Sequence, residues 1–136
     1  MANFLHDNED ILFHMEHLDL DRVISLKEMD FADSGKYPHA PKDLDDAKDS
    51  YMKVLDIIGE ICGDYLAPQA SEIDEEGVKL VDGEVQFAKG TAEVLDLMAK
   101  ADLMGFSLPR KYGGLNFPTT MTTIAAEMVQ RADASF

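Results

Sequence analysis

The chain is short of cations: twelve Lys and Arg stand against 27 Asp and Glu in 136 residues, a formal charge of -15. Phosphate backbones and anionic lipid surfaces both require a basic face, so direct binding to nucleic acid or to a membrane surface is disfavoured. The first 50 residues carry a net charge of -8 and the remaining 86 a net of -7, so the excess is denser at the front yet runs along the whole chain. Cysteine is nearly absent, and the single Cys62 excludes an internal disulfide and a Cys-rich metal framework. No apolar run approaches the roughly 18 residues that span a bilayer. The segment Met1-Ala2-Asn3-Phe4-Leu5-His6-Asp7 has no basic stretch, so neither a secretory signal nor an Arg-rich transit peptide is expected. A soluble, cytoplasmic protein is the expectation. Missing too are the Gly-x-Ser-x-Gly nucleophile turn, phosphate-binding loops, Gly-x-Gly-x-x-Gly after a strand and the paired His-Glu signature of metalloproteases.

What remains is apolar and periodic. Hydrophobic residues make up 46% of the chain, too many for a disordered one. Residues 8–28 read as one or two short helices: Ile11, Leu12, Met15 and Leu18 recur at helical spacing, then Leu20, Val23, Ile24 and Leu26, with Asp19 as an N-cap between them. Gly35, Pro38 and Pro41 mark a connector over 31–42. The strongest helix is expected from Asp43 to Leu66, with Ala47, Tyr51, Val54, Ile58, Ile61 and Tyr65 as its stripe and Pro68 at or beyond its end. Gly59 and Gly63 fall inside it, each costing about 1 kcal/mol against Ala. Such a pair, four residues apart, suits a place where another backbone comes close. Asp82-Gly83 between short alternating runs predicts a tight β-hairpin over 77–87, leaning on the helices. Helices are expected again over 91–103, with Val94, Leu95, Met98 and Ala101 inward, and from Pro118 to Ala132, with Met121, Ile124, Ala125, Met128, Val129 and Ala132 inward. The sum is an all-α helical bundle with one small β-hairpin.

Few residues advertise chemistry. His14 and His17 share a helix face beside Glu16 and Asp19, a possible zinc pair, but no third ligand has a characteristic spacing, and surface histidines are the plainer reading. Cys62 lies among Ile57, Ile58 and Ile61, as a small buried hydrophobe would. Gly113-Gly114 lacks the preceding strand and the Lys-Ser/Thr of a phosphate loop, so it reads as a structural turn between helices. The methionines read as core filling.

From residue 95 a specific pattern emerges. The run from Leu95 through Met98, Ala101-Asp102-Leu103-Met104-Gly105-Phe106-Ser107-Leu108-Pro109-Arg110-Lys111-Tyr112-Gly113-Gly114, then Arg131-Ala132-Asp133-Ala134-Ser135, resembles the N-terminal helical domain of acyl-CoA dehydrogenases. The resemblance makes 43–136 that domain, incomplete at its C-terminal end. Residues 1–30 become a helical extension similar to one found in a longer bacterial branch, whose members the hairpin at 77–87 also fits. It implies a flavoenzyme that takes the α and β hydrogens from an acyl-CoA thioester: a carboxylate removes the α-proton, flavin N5 of FAD accepts the β-hydride, and electrons pass to an electron-transfer flavoprotein. In the family the catalytic Glu and the principal flavin contacts belong to later domains, so no residue here is carried over as catalytic, cofactor-binding or metal-binding.

The segment after the Arg-Ala-Asp-Ala-Ser run commonly lines the acyl end of the family's cavity, which makes Ser135 and Phe136 candidates for the pocket margin. Arg131 and Asp133 are expected to cap and pair at a helix junction. The expectation for the 136-residue chain is a fragment that is inactive alone, with a homo-oligomer as its assembled state. The alternative is a non-catalytic acidic helical module that binds a partner protein.

Overall fold

A computed structural model describes residues 2–136. Two short helices come first, α1 (Glu9–His17) and α2 (Leu20–Lys27). Asn8 caps α1 by accepting the Ile11 N–H at 3.2 Å, whereas Asp19 occupies the cap position of α2 without a side-chain hydrogen bond. Helix α3 (Leu44–Glu60) starts at Asp43, whose Oδ1 accepts the Asp46 N–H at 3.0 Å while the Asp46 carboxylate reaches back to the Lys42 N–H. It then passes without a break into a π-helical turn, Ile61–Leu66, and on into α4 (Ala67–Glu76).

The π turn corrects two expectations. The helical rod does not stop near Pro68, because that proline falls in the first turn of α4, where a missing N–H costs little. The wider turn also shifts the inward face by one residue, so Leu66 is fully buried and Tyr65 is 44% exposed. Val54 is half-buried and Leu55 takes the fully buried place beside it. The hairpin β1 (Lys79–Val81) and β2 (Glu84–Gln86) follows, with Asp82 and Gly83 both at positive φ as its turn requires. It does not lean on the helices: all six strand residues are exposed. Helices α5 (Lys89–Lys100) and α6 (Thr119–Ala132) complete the bundle, joined by short 3-10 turns at Leu103–Gly105 and Arg110–Tyr112.

The all-α bundle with one small hairpin is what the sequence predicts. α3 packs along α6, α5 lies against α4 and the π turn, and α2 lies on α3. In α6 Met121, Ile124, Ala125, Met128 and Ala132 are buried and Val129 is half-buried. Leu5, Ile11, Leu20 and Ile24 join the same core from the N-terminal side.

The close backbone at Gly59 and Gly63 is the chain's own N-terminal segment. A Cβ on Gly59 would lie 2.8 Å from the Leu5 nitrogen, and one on Gly63 would collide with the Ala2 carbonyl. Through this gap the Phe4 N–H donates to the Gly59 carbonyl at 3.1 Å and the Ala2 N–H to Asp64 Oδ1 at 2.8 Å. Asn3 Nδ2 donates to the Asp56 carbonyl and carboxylate at 3.2 and 2.8 Å.

Candidate substrate-cavity wall and the buried ion pair

Helix α6 ends at Asp133, whose extended backbone stops the helix. Asp133 Oδ1 accepts both the N–H and the hydroxyl of Ser135, at 2.8 and 2.6 Å, while its Oδ2 is buried with no partner among the described residues. This is the local geometry of an Asx turn. Arg131, two residues earlier, faces the N-terminal segment: its guanidinium donates to Asp7 Oδ1 at 2.9 Å and lies 4.2 Å from the centroid of the Phe4 ring. Arg131 therefore pairs with the N-terminal segment, and Asp133 closes a turn just beyond α6; neither side chain caps the helix carbonyls.

Ser135 is exposed and Phe136 half-buried. Both line an open groove of about 490 Å³, whose other walls include Ile73 of α4, Val78 and Phe87 beside the hairpin strands, and Leu95 of α5. The lining is apolar apart from Asp74, Thr91 and Ser135. Such a surface can hold a hydrocarbon chain or another apolar side chain.

Gly113 has φ +86 and donates its N–H to the Arg110 carbonyl at 2.9 Å, closing the short turn that contains Tyr112. At Gly114 a Cβ would collide with the carbonyl oxygens of Leu108 and Gly105, so the two glycines let this loop fold back on itself. His17 Nδ1 lies 2.9 Å from the Phe13 carbonyl and its ring stacks on Phe13. Among the described residues no group of three His, Cys, Asp or Glu side chains is placed to hold a metal. Cys62 is fully buried, and burial pushes its thiol up to about 11.

The most polar buried feature was not visible in the sequence. Glu28, at the end of α2, is 1% exposed and faces Arg110 of the Tyr-Gly-Gly loop. Both Arg110 terminal nitrogens donate to the Glu28 carboxylate, and one also reaches the Leu115 carbonyl at 3.1 Å. The Tyr51 hydroxyl of α3 donates to Glu28 Oε1 at 2.6 Å. Burial, then the bond to Glu28, pushes that phenol well above its usual range. Asn116 ties the same loop to the Lys27 carbonyl at 3.1 Å. Arg110 Nε is buried without an acceptor among the described residues. Glu28 and Arg110 lie 82 residues apart, and no local pattern pairs them.

The described residues form a helical bundle with a buried ion pair at one place and an apolar groove at the end of α6. The chain belongs to the acyl-CoA dehydrogenase family: residues 49–136 match the model of the acyl-CoA dehydrogenase N-terminal domain. It is 30% identical over 128 residues to the 3-methylmercaptopropionyl-CoA dehydrogenase of Ruegeria pomeroyi. That alignment takes in 93% of this chain and 19% of the relative, so the chain spans about a fifth of that enzyme's length. No helix of the described residues is long and apolar enough to cross a membrane.

Proposed function

We propose that these residues form the N-terminal helical part of an FAD-dependent acyl-CoA dehydrogenase that converts an acyl-CoA to its enoyl-CoA, with Ser135 and Phe136 at the margin of the acyl cavity. The observation that carries this reading is the apolar groove at the end of α6, in a chain whose family domain reaches to Phe136. Acyl-CoA is the substrate class, an electron-transfer flavoprotein the electron acceptor, a homo-oligomer the assembled state and the cytoplasm the location. The groove does not fit FAD itself, because its one charged lining residue is Asp74 and a pyrophosphate needs cations or a cradle of N–H groups. No flavin step is therefore assigned to these residues. Their part is to exclude water from the acyl chain and to set the cavity's shape.

The test compares two polypeptides. The 136-residue chain is expected to purify colourless and to leave a redox dye unreduced with any acyl-CoA. A longer polypeptide carrying the same residues together with the flavin-binding and Glu-bearing regions is expected to be yellow and to reduce the dye. In that longer protein Phe136→Ala should raise KM for the acyl-CoA more than it lowers kcat. A yellow, dye-reducing 136-residue chain overturns the reading.

A further inference from the structure

Helix α2 ends where its own sequence gives it no reason to. The run Glu28-Met29-Asp30-Phe31-Ala32-Asp33-Ser34 holds no glycine or proline, and Glu, Met and Ala favour helix; the first residue suited to stop one is Gly35. Yet the backbone turns left-handed at once: Met29, Asp30 and Phe31 have φ of 49, 51 and 62°. The Asp30 N–H donates to the Ser25 carbonyl at 2.9 Å and the Met29 N–H to the Leu26 carbonyl at 3.3 Å, the two bonds of a Schellman closure. Glycine is usual at its left-handed position, and here Met29 stands there, 60% exposed. Single Asp or Asn residues visit this region readily; three consecutive side-chain-bearing residues in it are strained.

Tertiary contacts hold the turn from its first residue. Glu28, immediately before Met29, has its buried carboxylate fixed by Arg110 and Tyr51. Lys27 gives its carbonyl to Asn116 Nδ2, and a right-handed continuation of α2 would hand that carbonyl to the Phe31 N–H. Local preference and tertiary anchoring therefore oppose each other at one point, and both partners of the ion pair are buried among the described residues. We propose that residues 28–34 are a latched spring with two states. In the latched state Glu28 holds the left-handed turn. In the released state α2 continues right-handed to Ser34, which withdraws Phe31 from the edge of the core and frees Asn116 and the Tyr-Gly-Gly loop from α2. The proposal is independent of the dehydrogenase reading.

NMR of the 136-residue chain tests it, because backbone shifts and the intraresidue HN–Hα contact separate positive from negative φ. Met29→Gly relieves the latched turn and penalises the released helix, so it should raise the melting temperature by about 2–5 °C. Tyr51→Phe removes one bond to the Glu28 carboxylate. It should raise the ratio of released to latched form at least about tenfold, read by chemical-exchange saturation transfer at residues 29–31. The Asn116 side-chain amide should report the same ratio, and adding Met29→Gly to Tyr51→Phe should reverse the rise. Negative φ at residues 29–31 in the parent chain, or a lower melting temperature for Met29→Gly, overturns the proposal. So does a Tyr51→Phe chain whose residues 29–31 keep their positive φ unchanged, or whose minor state has disordered instead of helical shifts.

Discussion

Two apolar, charge-bearing segments of this chain meet opposite fates. Residues 2–28 sink Leu5, Ile11, Ile24 and even the carboxylate of Glu28 into the core, held by a seam of hydrogen bonds to α3, α6 and the Tyr-Gly-Gly loop. Residues 78–87 hold Val, Leu and Phe in a well-formed hairpin and leave every one of them in solvent. Hydrophobicity does not separate the two. The first segment finds a surface shaped to receive it, because Gly59 and Gly63 open a gap at backbone level and Arg110 supplies the counter-charge. Among the described residues the second has free edges and no neighbour on its apolar side.

The contrast can be broken most severely at the ion pair. Glu28→Gln removes the charge and leaves Arg110 buried opposite a neutral amide, so a loss of about 3–5 kcal/mol is expected in urea unfolding. The paired variant Glu28→Leu, Arg110→Met should recover most of that loss. A loss under about 1 kcal/mol for Glu28→Gln would show that the N-terminal segment is not locked through this pair.

Cys62, buried in the π turn next to Gly63, gives a weaker, pH-dependent probe. Its thiol is held up to about 11 from a usual 9, so above pH 9 the unfolded chain ionises while the folded one keeps its proton. The Cys62 contribution should be level below pH 9 and fall from there to pH 11 by about 2–3 kcal/mol, on top of the fall that the raised Tyr51 phenol adds, and Cys62→Ala should remove the Cys62 part of the slope. A slope unchanged in Cys62→Ala assigns it to other groups. Gly63→Ala, which drives a methyl into the Ala2 carbonyl, should cost about 1–3 kcal/mol and speed proteolysis of the first eight residues. At the other end of the comparison, Leu80→Ser with Val85→Ser should move stability by no more than about 0.5 kcal/mol, since neither side chain is buried. A larger drop in thermal melting would mean that the hairpin packs on the helices.

Local pattern carried most of the helical reading. The α6 stripe was legible residue by residue, because a 3.6-residue period in Met121, Ile124, Ala125 and Met128 leaves one face for the core. The hairpin turn was equally legible in Asp82-Gly83. The Gly59–Gly63 pair announced a close backbone without saying which one. The π turn was hidden, since its register shift shows only when Leu66 and Tyr65 compete for the core, and so was α4, whose run of acids masks a single buried Ile73. Ser135 and Phe136 were singled out by resemblance; their meeting with Ile73, Phe87 and Leu95 depends on how α4, α5 and α6 converge.

By itself the sequence determined the helical class, the bundle's inward stripes, the turn chemistry at Asp82-Gly83 and Gly113-Gly114, and the family. All of these are set by neighbours within a few positions or by a motif read in order. Only the tertiary structure decided that Glu28 meets Arg110 and Tyr51, that the N-terminal segment fills the gap at Gly59 and Gly63, and that no described residue covers the hairpin strands. Those outcomes depend on which surfaces come within a few ångströms after the chain has folded, where a desolvated charge or an apolar face gains or loses several kcal/mol according to its partner.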